Sequence, residues 1–133
     1  YTPLLYNASM NKTLRMTPQT ITVVKIIKSQ GHASNAQILK LAKKSFPNIS
    51  ATTIHRITTR LIKAKMASAG PKINGVKLID SNLTKHDHFI CANCGKVKDV
   101  RISRCTRVEL QQQTGSVLMP SSLIIMGDCQ NCL

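Results

Sequence analysis

Acidic residues are scarce in this sequence: five Asp or Glu stand against 19 Lys or Arg in 133 residues, a formal net charge of +14. The scarcity is uneven. No acid precedes Asp80, whereas 13 of the basic residues lie between Tyr1 and Ile79. A stretch without counter-charge repels itself unless it meets a polyanion. Nucleic acid is the natural one, since phosphate contacts supply most of the affinity in such complexes. A solvated basic face or a membrane surface is the competing explanation. Tryptophan is absent and aromatics amount to 3%, which argues against single-strand recognition by base stacking. Duplex DNA fits better. No apolar run approaches the roughly 20 residues of a membrane span, and Lys12 and Arg15 do not lead into a signal-peptide core. The expectation is a cytoplasmic protein with no membrane partner.

Cysteine is sparse but ordered. Four of the five form two C-x-x-C pairs, Cys91/Cys94 and Cys129/Cys132, with 34 residues between them. Such pairs in a chain without a secretion signal predict a tetrahedral four-thiolate zinc site, closed and therefore structural. Disulfides are the alternative, disfavoured in a reducing compartment. Cys105 stands alone and is expected to be a small buried hydrophobe.

Helix signals dominate the first half. After an arm up to about Thr13, Thr17-Pro18 reads as an N-cap followed by proline at the first helical position, and Gly31 ends that helix. Ser34-Asn35-Ala36-Gln37 has capping-box spacing and opens a second helix, with Ile38, Leu41 and Ala42 inward. Ser50 caps a third, where Ile54, Ile57 and Leu61 form the apolar stripe. Its opposite face carries Thr52, Thr53, His55, Arg56, Thr59, Arg60 and Lys63. Three short helices ending on a Thr/Arg/Lys face predict a helix-turn-helix. Asn74-Gly75 then marks a type I′ hairpin, read as a wing. The fold class expected is α+β. A winged helix-turn-helix domain spans residues 1–80 and a hinge 81–84. Residues 85–133 form an α/β dimerisation domain stapled by zinc. There the order is strand, knuckle, strand, a helix from Ser103 to Thr114 stopped by Gly115, and a last strand within Val117 to Met126.

Harder ligands form a second constellation: Asp80, His86, His88 and Asp99, with His32 in the loop before the second helix. His86 and His88 at i and i+2 share one face of a strand, while Asp80 falls in the hinge. Mixed imidazole and carboxylate donors suit Fe(II), Mn(II) or Zn(II). Surface histidines near a structural zinc are the plain alternative. A facial triad of a non-haem iron oxygenase would use His86, His88 and one Asp, yet gives the basic half no role. A zinc-ribbon interaction module would leave Thr17 to Gly75 unexplained.

These pieces resemble the ferric uptake regulator (Fur) superfamily from Arg15 to Cys132. The resemblance rests on Arg15-Met16-Thr17-Pro18-Gln19, on Phe46-Pro47-Asn48-Ile49-Ser50 with Ala51 to Arg56, on the H-x-H-x-x-C-x-x-C-G-K block from His86, and on Gly127 to Cys132. It implies a winged-helix homodimer that represses promoters of double-stranded operator DNA when a regulatory metal is bound, with no enzymatic activity. It implies structural zinc on Cys91, Cys94, Cys129 and Cys132, and a regulatory ion on His32, Asp80, His86, His88 and Asp99. Three His with two Asp most resemble the peroxide-responsive (PerR) branch, holding Fe(II) or Mn(II). The alternative is an iron-responsive regulator, which usually has Glu in place of Asp80. DNA contacts are implied for Arg15, Thr52, Thr53, His55, Arg56 and Arg60. The family usually has Tyr where His55 stands, and Pro120-Ser121-Ser122 occupies a stretch where many members place a further ligand histidine. That leaves one regulatory site per subunit.

Overall fold

A computed structural model describes residues 14–120 and 123–133; the expected arm up to Thr13, and Ser121 with Ser122, lie outside them. The chain divides into two compact units, Tyr1–Leu83 and Thr84–Leu133.

In the first unit, helix α1 (Pro18–Gln30) starts where the Thr17 hydroxyl accepts from the Thr20 amide, and it ends at Gly31, whose φ is 75°. Strand β1 (His32–Ser34) follows, then α2 (Asn35–Ala42), opened by a complete capping box between Ser34 and Gln37. Helix α3 (Ala51–Lys63) is capped by Ser50 and buries Ile54, Ile57, Thr58 and Leu61. The burial follows from spacing, since residues three and four apart share a helix face. One core cluster joins Ile54, Ile57 and Leu61 to Val23, Val24 and Ile27 of α1 and Ile38 and Ala42 of α2. Side chains such as Ile38 and Ile54, both at 0% exposure, each contribute about 1.5–3 kcal/mol of burial. Strands β2 (Ser68–Ile73) and β3 (Val76–Asp80) form the hairpin. It turns at Asn74 and Gly75 with φ of 51° and 80°, both in the left-handed region that a type I′ turn demands.

Two expectations need correction here. His32 is not in a loop and Asp80 is not in a hinge. Residues 32–34 are a strand pairing antiparallel with β3, in register His32↔Asp80, giving the sheet order β1-β3-β2. Three residues are too short to show a period; the strand exists because β3 offers an edge beside it.

In the second unit, β4 (Asp87–Cys91) pairs antiparallel with β5 (Val97–Val100) across the cysteine knuckle. Helix α4 (Arg104–Thr114), capped by Ser103 and ended by left-handed Gly115, crosses over to β6 (Ile124–Gly127). Strand β6 runs parallel to β4, giving the order β5-β4-β6. A short 3₁₀ turn, Gln130–Cys132, closes the chain. The final strand is shorter than expected: Val117 to Pro120 are irregular, and pairing begins opposite His88. β-branched composition records a preference for a packed surface, and strand ends where the partner strand ends. Cys105 is exposed, not buried, because α4 buries no residue within this unit.

Candidate metal centres and nucleic-acid face

The knuckle brings Cys91 and Cys94 to β6 and the terminal turn. All four Sγ atoms of Cys91, Cys94, Cys129 and Cys132 lie within 4.8 Å of one another, with Cys94 Sγ to Cys129 Sγ at 3.7 Å. A tetrahedron of Zn–S bonds of about 2.3 Å has edges of about 3.8 Å, so the donors fit a zinc ion. The electrostatics agree. Amide N–H groups of Cys94 and Cys129 donate to Cys91 Sγ at 3.4 and 3.3 Å, and they draw that thiol from 9.0 down to about 6. Cys132 is pushed up to about 12, first by its hydrogen bond with the Cys129 side chain and then by that with Cys94. Four crowded thiols cannot all ionise alone; a divalent cation removes the conflict.

The harder donors fall into two half-sites, one in each unit. In the first unit, the β1–β3 register sets His32 opposite Asp80, and His32 Nε2 lies 3.2 Å from Asp80 Oδ2. The other carboxylate oxygen accepts from the Asn82 amide at 2.8 Å, which fixes the side chain. Asp80 is 1% exposed, so its charge is held away from water and favours a cationic neighbour. In the second unit, the β4–β5 register sets His88 opposite Asp99. His86, two residues before His88, reaches the same face, with ring centroids 4.5 Å apart. His86 Nε2 is 3.2 Å from Asp99 Oδ1, and the ligand atoms of His86, His88 and Asp99 lie within 4.8 Å of one another. His86 Nδ1 donates to the Thr84 carbonyl at 2.6 Å, which leaves Nε2 with its lone pair for an ion. Such outer hydrogen bonds orient histidine ligands generally.

Between those histidines, Asp87 points to the opposite face and is 3% exposed. Its Oδ2 accepts from Arg107 Nη2 of α4 and its Oδ1 from the Leu123 amide; Arg107 Nη1 also donates to the Met119 carbonyl. Both oxygens of Asp87 are thus engaged by protein donors. Sequence reasoning missed this pair, although period-two alternation does turn Asp87 away from its histidine neighbours.

On α3, Thr52, His55, Arg56 and Arg60 are exposed on one face, and Arg15 is exposed ahead of α1. Thr53 is half-buried, and its Oγ1 is 2.9 Å from the Ser50 hydroxyl at the helix cap. Sequence reasoning also missed Asn35, whose side chain meets His55 and Thr58 from the start of α2. A contact over 20 residues leaves no local signal.

Comparison with known proteins agrees with this architecture. The sequence model of the ferric uptake regulator family matches residues 11–122. The peroxide-responsive repressor PerR of Staphylococcus epidermidis is 30% identical over 132 residues, covering 94% of this chain and 86% of that protein. Among solved structures, an iron-containing ferric uptake regulator from Francisella tularensis superposes with a TM-score of 0.71 at 18% identity, covering 90% of this chain and 95% of the other. A zinc uptake regulator complexed with zinc and DNA gives 0.65 at 20% identity, covering 94% and 87%. Among the described residues no helix is long and apolar enough to cross a membrane. With the family match spanning both units, the chain belongs to the ferric uptake regulator family and is a metal-responsive regulator rather than an enzyme.

Proposed function

We propose that this protein is a homodimeric repressor of operator DNA that senses peroxide through a His- and Asp-bound ion, with a separate structural zinc. The observation that carries the reading is the separation of donor types. Soft thiolates form one closed four-coordinate set, while imidazoles and carboxylates form two incomplete half-sites, one of two donors and one of three. Two or three donors do not by themselves complete the coordination sphere of a divalent ion. We assign His32, Asp80, His86, His88 and Asp99 to one ion that ties the DNA-binding unit to the dimerisation unit. Cys91, Cys94, Cys129 and Cys132 would hold zinc and staple β4 to the chain's end.

The residues act by position. Residues 81–85 connect Asp80 to His86, so closing the two half-sites fixes the angle between units. In a dimer that angle sets whether both α3 helices reach major grooves about 34 Å apart. A near-complete switch needs about 5.5 kcal/mol of preference for the DNA-competent form. Arg15, Thr52, Thr53, His55, Arg56 and Arg60 are assigned to DNA, with Arg56 able to pair with guanine. Dimerisation is supported by the second unit's exposed apolar side chains, including Val117, Met119, Ile125 and Met126. Held by His32, Asp80, His86, His88 and Asp99, Fe(II) would supply redox chemistry toward peroxide beside ligand imidazoles, whereas Mn(II) on the same residues would not.

Peroxide sensing is favoured over iron sensing by the pairing of Asp80 with Asp99 and by the PerR relative. Promoter-fragment protection with and without Mn(II) tests repression: protection should require the ion. Mass spectrometry after brief peroxide treatment of the Fe(II) form tests sensing. One oxygen atom added to peptides holding His32 or His86, with loss of DNA binding, supports it. Oxidation confined to Cys and Met with DNA binding intact leaves an iron-responsive repressor.

A further inference from the structure

We propose that His55 is a base-reading hydrogen-bond donor whose tautomer is set by Asn35, so that its Nε2–H selects guanine in duplex DNA. The proposal rests on the reading of α3 as the recognition helix and adds the chemistry of one position on it.

Three side chains make the case. Thr58, buried on the inner side of α3 at 1% exposure, places its hydroxyl 3.0 Å from Asn35 Oδ1, closer than the 3.2 Å to the His55 carbonyl. A carboxamide has one accepting end and one donating end. With Oδ1 taken by Thr58, the Asn35 amide nitrogen faces the imidazole, and Nδ2 lies 3.5 Å from His55 Nδ1. That is a long hydrogen bond, but a donor facing a donor there would be repulsive. Nδ1 is therefore the lone-pair nitrogen, and in the neutral ring the proton sits on Nε2.

Nε2 lies across the ring from that contact, on an exposed residue of α3 beside Arg56. The helix thus presents a directed donor backed by Asn35 of α2. In the major groove guanine offers two adjacent acceptors, N7 and O6, and no donor; thymine offers a single acceptor, O4, beside its bulky methyl group, and adenine and cytosine each present an amino group. A fixed Nε2–H matches guanine.

Two measurements on the zinc-loaded chain, with both units present, test this. The first is nitrogen-15 NMR of labelled histidine at pH 8, above the ordinary imidazole range. His55 should show the Nε2–H pattern, and Asn35→Asp, which presents only acceptors, should convert it to Nδ1–H. Asp at the first position of α2 favours the helix, so the variant keeps its fold. The second is selection from a random duplex library in Mn(II). Wild type should favour guanine at one half-site position by about tenfold, the scale of a single good base contact. His55→Ala should lose that preference and keep the others. Asn35→Asp, though weaker on all sequences, should shift it toward adenine or cytosine. An Nδ1–H pattern in wild type, or identical profiles for wild type and His55→Ala, overturns the proposal. No enrichment by wild type overturns the DNA reading beneath it, a failure the NMR measurement separates from one in the tautomer.

Discussion

The two units stand up by different means. The described residues of the first unit enclose one apolar cluster running from Leu14 to Ile79. In residues 84–133, the buried side chains among those described are Ile90 and Cys91, with Asp87 and His88 beside them. Half of that short interior is polar. A domain of this size cannot pay its conformational entropy from such a core, and it needs a metal, a partner subunit or both. The first unit is a core with a basic face. The second is a scaffold of ligands around which stability must be brought in.

The strongest way to break that contrast is to remove zinc. Exhaustive chelation, or Cys94→Ser, should unfold β4 to β6 while α1 to α3 keep their hydrogen-exchange protection, since structural zinc is worth about 10–16 kcal/mol in small domains. Equal loss of protection in both units would refute the division. Next comes the ion pair. Asp87→Ala strands the Arg107 guanidinium and should cost about 3 kcal/mol in the second unit alone. Asp87→Ala with Arg107→Met should recover most of it in denaturant melts. Third, Leu61→Ala opens a cavity in the first unit and should cost about 2–5 kcal/mol there, leaving zinc content by metal analysis unchanged. The smallest effect is Ser34→Ala, which removes the capping box of α2 and should cost about 1 kcal/mol. Its signature is faster amide exchange in the first turn of α2.

The contrast also explains what could be read before the structure. Local chemistry was legible: the caps Thr17, Ser34, Ser50 and Ser103, the Asn74-Gly75 turn, and both C-x-x-C pairs announce themselves within a few residues. The residues proposed as the five harder donors were also nameable from the sequence. Their arrangement was not, because it depends on strand register: His32 meets Asp80 only through β1–β3, and Asp99 meets His88 only through β4–β5. Cys105 misled because a small apolar side chain on a helix is normally inward. In this unit α4 has nothing of its own to cover. Asp87 and Arg107 each look like ordinary surface residues, and only the crossover of α4 makes them a pair.

Among the described residues, all four α-helices begin with a hydroxyl cap, and none carries an acid in its first turn. A first-turn carboxylate would add about 0.3–1 kcal/mol to each helix by meeting the positive end of its dipole. The chain forgoes that increment in each of α1 to α4. In the first unit the result is a field built from backbone as well as from lysine and arginine, because the partial positive charges at the starts of α1, α2 and α3 stay uncompensated by the chain. The acid scarcity noted at the outset is thus a rule about position, not only a total. Acidic substitutions at these three helix starts are changes that the fold would welcome and that a polyanionic partner would resist. Directed evolution for thermostability alone should collect them, and selection that also demands DNA binding should purge them.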